Sequence, residues 1–520
     1  MTTTAVPEAS GKQSTDSRRG IVLIFVALML AMLLASLSQT VLSAALPTMV
    51  GELNGVDQML WVMTAFILAS TITMPVYGKL GDLIGRKGLF LAAIGLFTAG
   101  SVLGGLAPDM NWLIVARVVQ GLGGGGLMIL SQAIIADVIP ARERGRYMGI
   151  MGGVFAVSSV AGPLLGGWFT EGIGWRWAFW INIPLGVLAF LAVLFLLRLP
   201  KGVSRPRLDI AGMALMAVAT TSLILTSSWG GSQYDWDSPV ILGLIATTVV
   251  TAVLFVLVER RAAEPVIPLH LFRDRNFNLT TVAGLFTGVA MFGTLGYMPT
   301  YLQMVTGASA TRAGLLMIPM MAALLVTSTV SGQMVSRSGR YKWLPVAGSV
   351  VLAGGLALLS TLAVSTPVWL TCVYLGVMGV GLGTSMQILV LIVQNSFPVS
   401  QVGTATAANN FFRQIGASLG SAVVGSLFTA RLIDQLTRSL PAGAEMPGGG
   451  GTRSLTPELV NGLPDAIREP IVTAYNDALV PLFLAMTPLA LAAAVLLLFV
   501  VEKPLATTIE REPAPEPAAV

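Results

Sequence analysis

Charge is what this chain has least of: Asp, Glu, Lys and Arg make up 11% of its 520 residues, where about 25% is ordinary for a globular protein. Cysteine occurs once, as Cys372, which excludes disulfides and cysteine-based metal sites. Histidine also occurs once, as His270, which removes a histidine-cluster metal centre and a conventional Ser-His-Asp triad. Most soluble enzyme chemistry falls outside this inventory, and the residues present point to no metal and no cofactor. What the chain does have is apolar surface: 54% of its residues are hydrophobic and its mean hydropathy is +0.80. Its 57 glycines sit inside apolar runs, where small side chains let helices approach closely in lipid. The composition reads as an integral membrane protein.

A bilayer-spanning helix needs about 20 mainly apolar residues. Cutting the chain where charge, Pro and Asn clusters interrupt it predicts an all-α fold with fourteen spans, at 21–49, 58–78, 88–107, 112–136, 147–170, 178–198, 210–229, 239–258, 279–303, 311–333, 344–364, 368–394, 404–430 and 479–501. The first run far exceeds a signal peptide's apolar region of about 7–15 residues and is retained as a helix. Of the 30 Lys and Arg residues, 22 fall in tails and loops on one side of this topology and six on the other, with Arg117 and Arg413 inside spans. Basic loops stay in the cytoplasm. This predicts a multi-pass protein of the plasma (inner) membrane with both termini cytoplasmic. The basic balance then reflects anionic inner-leaflet lipid as the partner, with no nucleic acid.

An internal repeat organises the spans. Gly78 to Lys87 and Gly332 to Lys342 form similar loops, Gly85-Arg86 matching Gly339-Arg340 at an offset of 254. The same offset carries Gly162 and Gly166 onto Gly416 and Gly420. Duplication predicts an N-terminal six-helix bundle at 21–198 and a C-terminal one at 279–501, pseudo-symmetric, with a linker and two inserted helices at 199–278. Tails cover 1–20 and 502–520, and a long outer loop covers 431–478, with a helix start at Thr456-Pro457-Glu458. Two like bundles about a midplane cavity is the architecture of a transporter.

The residues here resemble a family. Gly78-x-Leu80-x-Asp82-x-x-Gly85-Arg86-Lys87 resembles the signature loop of the major facilitator superfamily, and Gly162-Pro163-x-x-Gly166-Gly167 resembles its antiporter motif. Trp61-Val62-x-Thr64, Arg117-x-x-Gln120-Gly121 and Trp175-Arg176-Trp177-x-Phe179-x-Ile181-Asn182-x-Pro184 add detail. Together they are similar to the fourteen-helix drug:proton antiporter branch. The resemblance implies a multidrug efflux transporter, an antiporter that exports small amphiphilic drugs or antibiotics by alternating access, as a monomer, in exchange for protons. A facilitator or lipid or metabolite exporter without proton coupling is the alternative.

Physical chemistry assigns candidate roles. Gly78, Asp82, Gly85, Arg86 and Arg142 form a charged latch in the cytoplasmic loops, Asp82 being placed to meet a helix N-terminus or a nearby Arg. Gly162, Pro163 and Gly166 make helix 5 close-packing and bendable. Arg117 costs about 2.5–3.5 kcal/mol near the midplane, so it is expected to face a cavity or a polar partner. Gln39, Trp61, Phe66, Arg117, Tyr297, Tyr301, Gln387 and Asn410 are candidates to line the substrate cavity. Relatives in the branch commonly carry an Asp in helix 1 where this chain has Ser38. No Asp or Glu falls deep in a span, which leaves Arg117 and Asp137 as candidates for proton coupling, with a capping or loop-pairing acid as the other reading of Asp137.

Overall fold

Lipid offers backbone amides and carbonyls no partner, so an apolar run of this length satisfies them as a helix. The structure, a computed structural model of the chain, describes residues 11–55, 58–199, 208–231, 233–439 and 456–508. The tail residues 1–10 and 509–520, the Pro- and Gly-rich stretch 441–451 and the basic residues Lys201, Arg205 and Arg207 lie outside these.

Thirteen described helices are long and apolar enough to cross a membrane. We number them with the shorter apolar helix Trp343–Leu359 in chain order. They are α1 Gly20–Glu52, α2 Met59–Ile84, α3 Arg86–Gly105, α4 Met110–Val138, α5 Ala141–Ile173, α6 Trp177–Leu196, α7 Ile210–Trp229, α8 Pro239–Glu259, α9 Arg275–Thr306, α10 Ala310–Ser338, α11 Trp343–Leu359, α12 Val368–Ser396, α13 Val399–Arg438 and α14 Asp465–Leu498. Among the described residues the only β pairing is a single bridge between Gly230 and Tyr234. Short polar side chains start several helices by accepting an orphan amide: Asp109 from Trp112, Asp274 from Phe277, Ser238 from Ile241.

Helices α1 to α6 pack on one another, as do α9 to α14, and two seams join the groups: α5 along α10, and α2 along α13. Glycine permits the first seam. A Cβ on Gly145 would lie 2.9 Å from the Gly332 carbonyl oxygen, and one on Gly332 would strike the Gly145 carbonyl in turn. The α7–α8 pair stands to one side, α7 touching α2 and α13. Only 6% of the most apolar stretch of α8 is buried, which marks it as a lipid-facing helix.

The start of α1 and the stretch after α14 share a face. Phe25 near the start of α1 meets the Tyr147 ring of α5 edge-on at 4.9 Å, and the stretch after α14 is bound beside the same helix, the Arg142 amide donating to the Ala506 carbonyl at 3.0 Å. The loops α2–α3, α4–α5 and α10–α11 lie here, and we call it the basic face.

The structure extends two elements past their expected ends. α13 runs on to Arg438 with Leu432 and Leu436 buried, and α14 begins at Asp465 with Ile471, Val472, Tyr475 and Ala478 buried. Charges at Arg431, Arg468 and Asp477 mark these stretches as loop in the sequence, whereas the structure points their apolar faces into the C-terminal group. Within the outer loop a short helix Pro457–Asn461 is capped by Thr456. The start of the C-terminal tail is likewise tied down: Glu502 accepts from the Tyr341 amide at 2.7 Å and Lys503 pairs with Asp274 at 3.0 Å.

Candidate functional site

The first repeated loop makes a charged clasp between the two groups. Gly85, at φ 95°, turns the chain sharply from α2 into α3. Asp82 accepts the backbone amides of Gly403 at 3.1 Å and Thr404 at 2.7 Å, with the Thr404 hydroxyl at 2.7 Å. Those amides belong to the first turn of α13, so the carboxylate sits on the positive end of a helix dipole. Arg86 bridges Asp82 at 2.7 Å and Asp137, and donates to the Val399 carbonyl at 3.0 Å. Asp82 and Arg86 have side chains 5% exposed. A pair buried this deeply holds only when its remaining polar atoms are matched, and here both backbone and side chains match them. Gly78 lets α2 touch α13, since a Cβ there would strike Ala407 and lie 2.7 Å from the Gly403 carbonyl oxygen.

The second loop also reaches across the seam, with a serine and no carboxylate. Ser336 accepts the amide of Arg146 at 3.0 Å, and Arg142 donates to the carbonyls of Ser336 at 3.4 Å and Arg337 at 3.2 Å. A polar belt runs between the clasps. Asn410 donates to Gln132 Oε1 at 3.0 Å, Gln394 to the Gln132 carbonyl at 3.1 Å, and Arg413 to Asn410 at 2.5 Å.

Arg117 lies elsewhere, wholly buried inside the N-terminal group. Its Nε donates to the Val62 carbonyl at 3.0 Å, its Nη1 to Gln120 Oε1 at 2.5 Å, and its guanidinium stands 4.3 Å from the Phe66 ring centroid. Gln120 passes the network on, donating to Ser38 at 3.0 Å and to Ser101 at 2.8 Å. Among the described residues, Nη2 of Arg117 is buried without a hydrogen-bond partner, and no carboxylate pairs with this guanidinium.

Toward the face opposite the basic one, α2 and α13 part around a cavity of about 400 Å³. Leu60, Thr64 and Ile67 line it from α2, Ile224 and Ser227 from α7, Phe292 and Tyr297 from α9, and residues from Gln414 to Thr429 from α13. Tyr297 donates to the Ser421 carbonyl at 3.2 Å and tilts against Phe428.

The structure thus distributes the residues singled out in the sequence. Phe66 and Arg117 meet; Tyr297 lines the cavity; Trp61 packs edge-on against Trp229 of α7 at 5.8 Å. Asn410 belongs to the belt, and Tyr301 is buried in the C-terminal group, donating to Asn476 at 2.8 Å. Gln387 faces α5, where a Cβ on Gly152 would lie 3.2 Å from its Cγ, and Gln39 is half-buried on α1. Gly162 and Gly166 face α1 within the N-terminal group, at Thr40 and Val41, and Pro163 lies next to Gly314 of α10. Sequence reasoning missed Gln132, Gln394 and Thr404, and the small polar lining of the cavity. The latter had a signal: Gln414, Ser418, Ser421, Gly425 and Thr429 recur at helical spacing on one side of α13.

Two packed helix groups, an intramembrane polar network and a charged clasp across their seam define a membrane transporter. The family model of the Major Facilitator Superfamily matches residues 28–421, and the chain belongs to that family. It is 36% identical to the multidrug transporter protein MdtP of Bacillus subtilis over 91% of this chain and 88% of that one. It is 32% identical to multidrug resistance protein 3 of the same organism over 98% and 99%. An MFS-type transporter of Mycobacterium tuberculosis is 42% identical over 96% of this chain and 72% of its own. Among solved structures, the proton:xylose symporter XylE shares the fold at TM-score 0.62 and 15% identity, covering 94% of this chain and 98% of that one.

Proposed function

We propose that this chain is an efflux transporter of the fourteen-helix branch, exporting amphiphilic compounds from the cytoplasm by alternating access. In this reading α1–α6 and α9–α14 are the two rocking bundles, α7 and α8 are an insert, and the basic face is cytoplasmic in the plasma membrane. The observation that carries the reading is the placement of the contacts between groups. The clasps of Asp82, Arg86 and Arg142 and the Gln132 belt tie the groups at the basic face, while α2 and α13 part toward the other. That is one of the two states an alternating carrier needs, with the cytoplasmic side shut. The likeness to curated multidrug transporters supports efflux.

Proton exchange is the coupling we infer, with Asp137 as the titrating group. It is held by Arg86, which also holds the Asp82 clasp, so protonating Asp137 frees Arg86 from one of two partners and loosens the seam. Ser38 and Gln120 occupy the neighbourhood of Arg117 where an acid would give coupling a second owner, and this favours the alternative of a facilitator without proton exchange. Proteoliposomes loaded with an uncharged macrolide-like compound decide the matter. Transport that rises with an imposed pH gradient and collapses with a protonophore is expected. Equal transport with and without the gradient overturns the coupling and leaves the facilitator; no transport in either case overturns efflux.

A further inference from the structure

The cavity between α2, α7, α9 and α13 belongs to neither the clasps nor the Arg117 network, and its chemistry is specific. About 400 Å³ is within the range of sites for drug-sized ligands, about 300–1,000 Å³. Among the described residues its lining includes no Asp, Glu, Lys, Arg or His. Leu60, Ile67, Ile224 and Phe292 make its apolar walls, and its polar groups are hydroxyls and the amide of Gln414. Two of the hydroxyls already spend their proton on their own helix: Ser227 donates to the Ile224 carbonyl at 2.8 Å and Ser426 to the Ala422 carbonyl at 3.0 Å. What they present to the cavity is therefore lone pairs, acceptors for a ligand's N–H or O–H. A full charge entering such a site loses its hydration and finds no counter-charge, whereas a neutral molecule with a few donors loses little.

The wall that closes this cavity on one side comes from the insert. Ser227 and the Gly230-Gly231 turn after α7 line it, and the Trp61–Trp229 and Trp229–Tyr234 ring contacts, at 5.8 and 5.9 Å, brace that turn against α2. We propose that this cavity is a binding site for uncharged, largely apolar molecules bearing hydrogen-bond donors, and that the inserted helix α7 is part of the site. The proposal deepens the efflux reading and rests on it for the identity of the cargo. Binding is measured on purified protein without transport, so the two can fail separately.

The test uses the full chain in nanodiscs with N-phenyl-1-naphthylamine, which carries one N–H, as uncharged probe and tetraphenylphosphonium as cationic probe, empty discs being subtracted. Wild type is expected to bind the naphthylamine more tightly than tetraphenylphosphonium. Ser418→Trp on α13 and Ser227→Trp on α7, each filling the space, are expected to weaken the naphthylamine at least about tenfold. Ser418→Asp supplies the missing counter-charge and is expected to raise tetraphenylphosphonium affinity at least about tenfold over wild type, a gain that misfolding cannot produce. Tighter binding of the cation by wild type, or naphthylamine affinities within about twofold of wild type in either Trp variant, overturns the proposal.

Discussion

The two repeated loops occupy equivalent places, yet they grip the opposite group with different chemistry. In the first, Asp82 accepts the Gly403 and Thr404 amides at the start of α13; in the second, Ser336 accepts the Arg146 amide in the second turn of α5. Only the first therefore caps a helix of the other group, since α5 has no side-chain cap. The first adds a net of Arg86 with two carboxylates, and the second has no carboxylate and is held by Ser336 and the Arg142 guanidinium. The difference teaches where a switch can sit: a neutral hydroxyl grips with nearly constant strength, whereas a buried carboxylate network changes its strength whenever one member gains a proton or loses its partner. The first loop is also joined to the insert, through Lys79 and Glu264 at 2.5 Å.

Four substitutions break or sharpen this contrast. Arg86→Ala is expected to have the largest effect, since it leaves Asp82 buried, and Asp137 half-buried, without their shared cation; a loss of about 3–5 kcal/mol is typical of breaking a buried pair. It should be visible as a lower unfolding temperature in detergent together with lost transport. Asp82→Asn comes next. It keeps an acceptor for the α13 amides but removes the charge, and hydrogen bonds to charged groups are worth about 1.5–3 kcal/mol against about 1 for neutral ones, so the closed basic face should lose roughly tenfold in population. With Cys372 replaced by serine and Ser421→Cys as reporter in the cavity, maleimide labelling should fall; unchanged labelling would take the role away from Asp82.

Ser336→Asp makes the second loop resemble the first, setting a carboxylate beside Arg142 at the α5 seam. An exposed ion pair of about 0.2–1 kcal/mol should favour the closed basic face and raise labelling of Ser421→Cys about fivefold at most. Ser336→Ala should do least. It removes the Arg146 amide's acceptor at 3.0 Å, a long bond to the Glu143 carbonyl at 3.4 Å and one to its own helix at Gly332; of these only the first is well formed across the seam, and such bonds contribute about 0.5–1.5 kcal/mol, so turnover should stay within about threefold of wild type. A loss as large as that of Asp82→Asn would mean the two loops are equal partners and the contrast is false.

Some of this was legible in the residues. Asp82, Gly85 and Arg86 announced a tight charged turn, and a guanidinium at Arg117 in an apolar run announced a polar partner. The identity of the partner was not legible. Val62, Ser38 and Ser101, which complete that network directly or through Gln120, come from three other helices. Trp61 and Phe66 lie five residues apart on α2, yet one packs on the insert and the other under Arg117. Helical phase sets the direction of a side chain about its own axis, but the neighbour it meets depends on how two axes cross. The polar stripe of α13 was readable as a stripe, and its use as a cavity wall was not.

By itself the sequence determined that the chain lives in lipid and that its apolar runs become helices. Backbone groups in hydrocarbon have no partner except within their own helix, so length and composition decide that outcome locally. It also determined that the basic loops repeat, because residue identity is all a repeat consists of. Only the tertiary structure decided that Asp82 reaches the amides of α13, that Gln132 joins the belt, and that α7 closes a 400 Å³ cavity with no Asp, Glu, Lys, Arg or His among its described lining residues. These are meetings of helices distant in the chain, and among many apolar helices of similar composition their pairing is settled by glycine contacts and a few buried polar bonds whose worth exists only once both partners are in place.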